Sequence, residues 1–184
     1  MASVKGSALD ARILWVKTQK GEESLKALLS RLSPEDREIC GGVILPSHWY
    51  PFATFVHVNE VIDATFGKGD LALVPEIARF AAGHNLPTLY RFFYSVSSVG
   101  FILSMASRLW RMNYDAGELR VVQGTNSATI FIEDWPEPHR AHCLSVLGWA
   151  ARSAELSGGK DVVAEMPHCR ASGDADCELV LRWN

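Results

Sequence analysis

The hydrophobic pattern changes period at the turn Asp115-Ala116-Gly117, and that change restricts the fold more than any other feature of the chain. Ahead of the turn, apolar residues recur at the spacing of a helix face. Phe52, Phe55, Val56, Ile62 and Phe66 mark one helix, Leu71, Val74, Ile77, Ala78 and Ala81 a second, and Val99, Ile102, Leu103, Ala106, Trp110 and Tyr114 a third. Behind the turn come two β-rich runs, Glu118 to Gln123 and Ala128 to Glu133, joined as a hairpin through Gly124-Thr125-Asn126-Ser127. Helical period returns from His139 to Ser157 through Cys143, Val146, Leu147, Ala150 and Ala154, and Gly158-Gly159 closes that helix. Two further strands, Asp161 to Cys169 and Cys177 to Trp183, flank a turn over 171–176. Cys177, Leu179, Leu181 and Trp183 share one strand face, which marks it as buried.

Nearer the start, Ala11 to Thr18 reads as a short strand and Glu22 to Leu32 as an amphipathic helix carrying Leu25, Leu28, Leu29 and Leu32. Ser33-Pro34 opens a further turn or helix that ends at Gly41-Gly42, and Asp70 is placed to cap the helix that follows it. The order is a strand, a helical middle, then strand, strand, helix, strand, strand. It predicts an α+β fold, an antiparallel sheet with helices packed on one side, in a single domain over residues 1–184. A chain of that length buries one sizeable core without a staple.

Net charge is -3, which provides no field for holding nucleic acid. No apolar run approaches the roughly 20 residues of a membrane span, and no leader is visible, so a cytoplasmic location is expected. In that compartment Cys40, Cys143, Cys169 and Cys177 stay reduced.

Cys143, Cys169 and Cys177, with Glu165 and His168 close by, are the strongest local constellation. Their spacing allows two readings, small core residues or metal ligands, because it lacks the paired short intervals that make a metal motif specific. Aromatic residues form the second constellation, in groups around Trp49 to Phe55, Tyr90 to Tyr94 and Trp110 to Tyr114. Such groups either pack a core or wall a pocket for a flat, apolar ligand, and Phe55, Phe93, Trp110 and Tyr114 are the candidate ligand-binding residues. Phosphate-binding, dinucleotide-binding, metalloprotease and serine-hydrolase motifs are absent from the sequence. His142 and Cys143 are helical neighbours about 100° apart and do not face each other, so no catalytic residue is assigned and the chain is not read as an enzyme.

Asp134-Trp135-Pro136-Glu137-Pro138, Cys143, Gly148 and the run Cys169 to Leu179 resemble the signature of the 4-vinyl reductase-type small-molecule-binding domain. With Trp49-Tyr50-Pro51, Gly67 to Leu71 and Trp110 to Tyr114, the whole chain resembles a family of paralogous myxobacterial proteins built on that domain. The resemblance extends to the sensory domains of phenol-responsive activators and the small core subunits of the TRAPP tethering complex. It implies a fold of the NO-signalling/Golgi-transport ligand-binding type, often dimeric, around an apolar pocket. In the phenol sensors three cysteines and a glutamate hold zinc. The resemblance therefore implies zinc on Cys143, Cys169, Cys177 and Glu165, although the glutamate stands one place from its expected position, which is Met166 here. A β-bulge near Pro167 would correct that register, and His168 is the alternative ligand. The implied function is a non-catalytic sensor that binds an apolar or aromatic small molecule and signals through a homodimer or a partner protein. The alternative is an interaction module without a ligand, comparable to the TRAPP subunits.

Overall fold

In the computed structural model, which describes residues 1–84 and 98–184, the stretch expected as the first strand is a helix. A short strand β1 (Ser3–Lys5) leads straight into α1 (Gly6–Lys20), and Ala11 to Thr18 lies inside it. The buried residues of α1 are Gly6, Leu9, Ala11, Arg12, Trp15 and Val16. Because that inner set includes a charged residue, polarity does not mark the helix face, and the apolar run imitates a strand.

Helices α2 (Glu22–Arg31) and α3 (Pro34–Gly41) follow as read from the leucine spacing and the Ser-Pro start. Ser33 Oγ accepts from the Asp36 amide at 3.1 Å and caps α3. Strand β2 (Trp49–Pro51) then pairs antiparallel with β1, setting Val4 opposite Tyr50. Helix α4 (Phe52–Phe66) has the limits its apolar period gives. The next helix, α5 (Leu73–His84), is capped from further back than expected. The buried Asp63 carboxylate accepts from the amides of Leu71 at 2.8 Å and Leu73 at 2.9 Å, while Asp70 accepts only from Ala72. Leu71, expected inside the helix, sits in the left-handed region at φ 67°. The segment from Val99 to Tyr114 is two helices, α6 (Val99–Ser104) and α7 (Ala106–Asn113), broken where the Met105 amide turns back to the Ile102 carbonyl.

Strands β3 (Glu118–Gly124), β4 (Ser127–Glu133), β5 (Val163–His168) and β6 (Cys177–Arg182) form an antiparallel sheet in the order β3-β4-β6-β5. Ala128, Ile130 and Ile132 stand opposite Leu181, Leu179 and Cys177, and together they make the buried face. Pro167 is accommodated because β5 is an edge strand. Between β4 and β5 runs α8 (Arg140–Leu156), which packs on that buried face with one side and on α5 with the other. At Gly148 the two helices touch so closely that a Cβ would lie 2.2 Å from the Pro75 carbonyl oxygen.

The α+β architecture with its helices over an antiparallel sheet thus stands as expected. Two apolar cores meet along α4. One joins Phe52, Phe55 and Val56 to the sheet and α8, and the other joins Val58 and Ile62 to α1, α2 and α5 through Leu9, Leu28 and Ile77. Among the described residues, no helix is long and apolar enough to cross a membrane.

Candidate functional site

Helix α8 is buried on nearly every side, as a helix between two layers must be, yet its buried residues include His142, Ser145 and Ser153. Over its first turns His142 meets Trp110 of α7 and Ser145 meets Arg12 of α1. Beyond them, α5 contributes Ala78, Ala81 and Ala82 to the lining, and these short side chains leave space. The result is a partly open cavity of about 610 Å³ lined by α1, α5, α6, α7, α8, the sheet residues Leu119 and Ile130, and Lys5, Pro46 and Ser47. That volume lies in the range of small-molecule sites, roughly 300–1,000 Å³.

The walls are apolar, from Val99, Ile102, Leu103, Ala106 and Trp110 on one side to Val146, Trp149, Ala150 and Ala154 on the other. Polar chemistry is concentrated at the α1 end. Arg12 is 2% exposed, stacks over the Phe55 ring at 4.5 Å, and donates to the Ala8 carbonyl at 2.9 Å, to Asn59 Oδ1 at 3.4 Å and to Ser145 Oγ. Burial pulls its pKa down to about 10, so it remains a cation at neutral pH. Burial also pushes the neighbouring Tyr114 phenol up to about 12, against the opposing pull of Arg12, which leaves it neutral.

Of the residues singled out by aromatic spacing, Trp110 and Tyr114 line the cavity. Trp110 is fixed by donating its indole N–H to the Ala116 and Gly117 carbonyls at 2.8 and 2.9 Å. Phe55 lies beneath Arg12 in the core and is not part of the lining. Phe93 lies outside the described residues. Arg12, Ser145 and Ser153 were not anticipated, and the available signals were an arginine inside the run ARILWV and two serines on an apolar helix.

The cysteines form a second cluster on the far side of α8. Cys143 Sγ lies 3.4 Å from Cys177 Sγ and 3.8 Å from Cys169 Sγ, and all three thiols are buried. Donation to Cys177, reinforced by burial, keeps the proton on Cys143, while Cys177, accepting from Cys143 and from the Arg170 amide, is held below the usual thiol range. Glu165 does not join them. The strand pairing is irregular between Glu165 and His168, where a bulge was expected, but the glutamate still turns outward and pairs with Arg182 at 2.9 Å. His168 faces Asp174 and Glu178, at 3.8 and 3.9 Å.

No family model and no curated protein sequence matches the chain. Solved structures do. An H-NOX protein from S. oneidensis in the Fe(II)NO ligation state superposes with a TM-score of 0.72 at 14% identity, over 98% of this chain and 99% of that one. The Fe(II) unliganded H-NOX protein from K. algicida gives 0.66 at 14% identity, over 98% and 96%. A structure described as probing heme distortion in the H-NOX family gives 0.66 at 14% identity, over 98% and 96%. At such identities the likeness is one of fold.

Two expectations are corrected by these neighbours. The resemblance to the 4-vinyl reductase-type domain, its myxobacterial relatives and the TRAPP subunits gives way to the H-NOX fold. Zinc falls with it, since the neighbours are described by Fe(II) and heme, and the glutamate of the implied zinc set is engaged with Arg182. Heme, the group this fold implies, does not fit the residues present. Among the described residues neither an imidazole nor a thiol lines the cavity, and residues 85–97 contain no His or Cys. The remaining axial-ligand types in the described lining are Met112, which is 48% exposed, and Tyr114, whose phenol burial keeps protonated where iron takes a phenolate.

Proposed function

We propose that the chain is a non-catalytic small-molecule-binding domain, a sensor that takes its ligand in the cavity between α5, α6, α7 and α8. The carrying observation is the cavity itself, about 610 Å³ with apolar walls and its polar groups gathered mainly at one end. A concave apolar space with a few orienting polar groups is what recognition of a small molecule requires. The neighbours of the same fold, described with NO on Fe(II) and with heme, support a binding role for this architecture. Trp110 and Tyr114 are the aromatic contacts of the ligand in this reading, and the absence of an imidazole in the described lining separates its chemistry from heme.

Helices α6 and α7 connect the ligand to a partner. Val99, Ile102, Leu103 and Ala106 face the cavity, while Phe101 on the same helix pair is turned to solvent. Occupancy of the cavity sets the position of these helices, and a homodimer or a signalling protein reads their outer face.

The test is a titration of the full chain with the neutral apolar dye N-phenylnaphthylamine, whose emission rises in an apolar site. One saturable site is expected. Ala150→Phe, which fills the cavity from α8, abolishes it without lowering the melting temperature. Failure of the dye and of other neutral apolar probes to bind the folded wild-type protein refutes the reading.

A further inference from the structure

We propose that the cavity selects an amphiphile with a single carboxylate head, bound by Arg12 and Ser145, whose apolar body lies along α8 toward Ser153. This rests on the ligand-binding reading above and names the class of ligand.

The first observation is a charge without a counter-charge. Arg12 is almost fully buried, and its partners, the Ala8 carbonyl, the Asn59 amide oxygen and the Ser145 hydroxyl, are all neutral. No carboxylate pairs with it among the described residues, and residues 85–97 contain no Asp or Glu. Lys5, the other cation of the described lining, is already occupied by the Ser47 carbonyl at 2.8 Å and the Trp49 ring. A buried cation facing only neutral dipoles is costly, and folded chains seldom keep one unless something compensates it. One cation calls for one negative charge.

The second observation is the donor geometry. A guanidinium carries five N–H donors. The structure engages one on Nε, one on each terminal nitrogen, and leaves a further N–H on each terminal nitrogen without a partner among the described residues. Two parallel N–H groups form the fork that a carboxylate accepts. Ser145, which accepts from Arg12, still has its hydroxyl hydrogen for a carboxylate oxygen.

The third observation lies at the other end. Ser153 lines the same cavity, and its buried Oγ has no hydrogen-bond partner among the described residues. Ser145 and Ser153 are eight residues apart on α8, roughly 12 Å along its axis. Between them the surface is Val146, Trp149 and Ala150, facing the alanines of α5. The ligand is therefore apolar through its middle, and a carbonyl or hydroxyl about that far from the head would satisfy Ser153.

The experiment displaces bound N-phenylnaphthylamine from the full chain with dodecanoate, dodecanol and dodecylamine, and repeats the acid with octanoate and decanoate. At least one acid is expected to bind roughly tenfold to a hundredfold more tightly than dodecanol, the span of a charge-assisted hydrogen-bonded pair, and dodecylamine most weakly. In Arg12→Gln the ratio of acid to alcohol affinity falls to about one, and in Ser145→Ala it falls part of the way. If the dye binds the wild-type chain but acids and alcohol displace it equally, or none of the acids displaces it, the carboxylate assignment is overturned and the ligand-binding reading stands. The same holds if the acid preference survives Arg12→Gln. If the dye does not bind at all, both fail together. Should Arg12→Gln not fold, the wild-type acid-to-alcohol ratio and its reduction in Ser145→Ala decide.

Discussion

His142 is held among the rings of Phe52, Trp110, Tyr114 and Trp135, at centroid separations of 4.7 to 5.4 Å, and neither of its nitrogens has a hydrogen-bond partner among the described residues. Burial lowers its pKa from 6.5 to about 3, and the Arg12 and His139 charges push in the same direction. Below pH 6.5 the unfolded chain takes up a proton that the folded chain refuses. Stability is therefore fully present above that pH and declines as pH falls toward 3, by about 1.4 kcal/mol per pH unit within the window. Urea titrations at several pH values should show this decline in the wild type and a reduced slope in His142→Leu. At neutral pH the leucine variant should be as stable as the wild type or more so, because replacing an orphaned polar group by an apolar one of similar size removes its desolvation cost. Arg12 follows a related logic. Replacing it by Met should hold or raise the ligand-free melting temperature, and a large drop would show that its contacts to Asn59 and Ser145 outweigh the cost of burying its charge.

At the scale of elements, the contact of α5 with α8 leaves no room for an added atom. Gly148→Ala places a methyl 2.2 Å from backbone oxygen, so the helices must separate, at a cost of about 1–3 kcal/mol measured by denaturant unfolding. Loss of the α3 cap in Ser33→Ala should cost about 1 kcal/mol by the same measurement. Helices whose apolar residues recur at helical spacing were legible in the sequence even where the inner face also carries polar groups, as with Asn59 and Asp63 on α4. Phe52 to Phe66 gave α4 its limits, and alternation gave the β3–β4 hairpin and β6. What was not legible has physical causes. Helix α1 buries Arg12, so its periodicity is masked, and the break at Met105 comes from a tight last turn that no Gly or Pro announces. The cap on α5 comes from Asp63, which enters through the fold of the loop and not through proximity in sequence. Within the candidate site the aromatics Trp110 and Tyr114 were suggested by spacing, whereas the polar groups Arg12, Ser145 and Ser153 meet only once α1 and α8 are packed together.

For the molecule as a whole, the H-NOX architecture and the chemistry of the cavity point in different directions. The frame is shared over nearly the full length of the solved proteins, while the described lining lacks the imidazole or thiol that would hold heme iron. Protein produced with heme precursors in excess should therefore purify without a stoichiometric Soret absorption, measured by its spectrum against protein concentration. The strand at the start of the chain has a consequence for the order of events during synthesis. Val4 is fully buried beside β2 and bridges Tyr114, and the Ala2 amide donates to Glu137 at 2.7 Å. Ala2 and Val4 thus wait for partners made more than a hundred positions later. At about 5–20 residues per second, that interval lasts several seconds. During it the helical half must stand with its seam open, and any factor that guards nascent apolar surface has its time to act there.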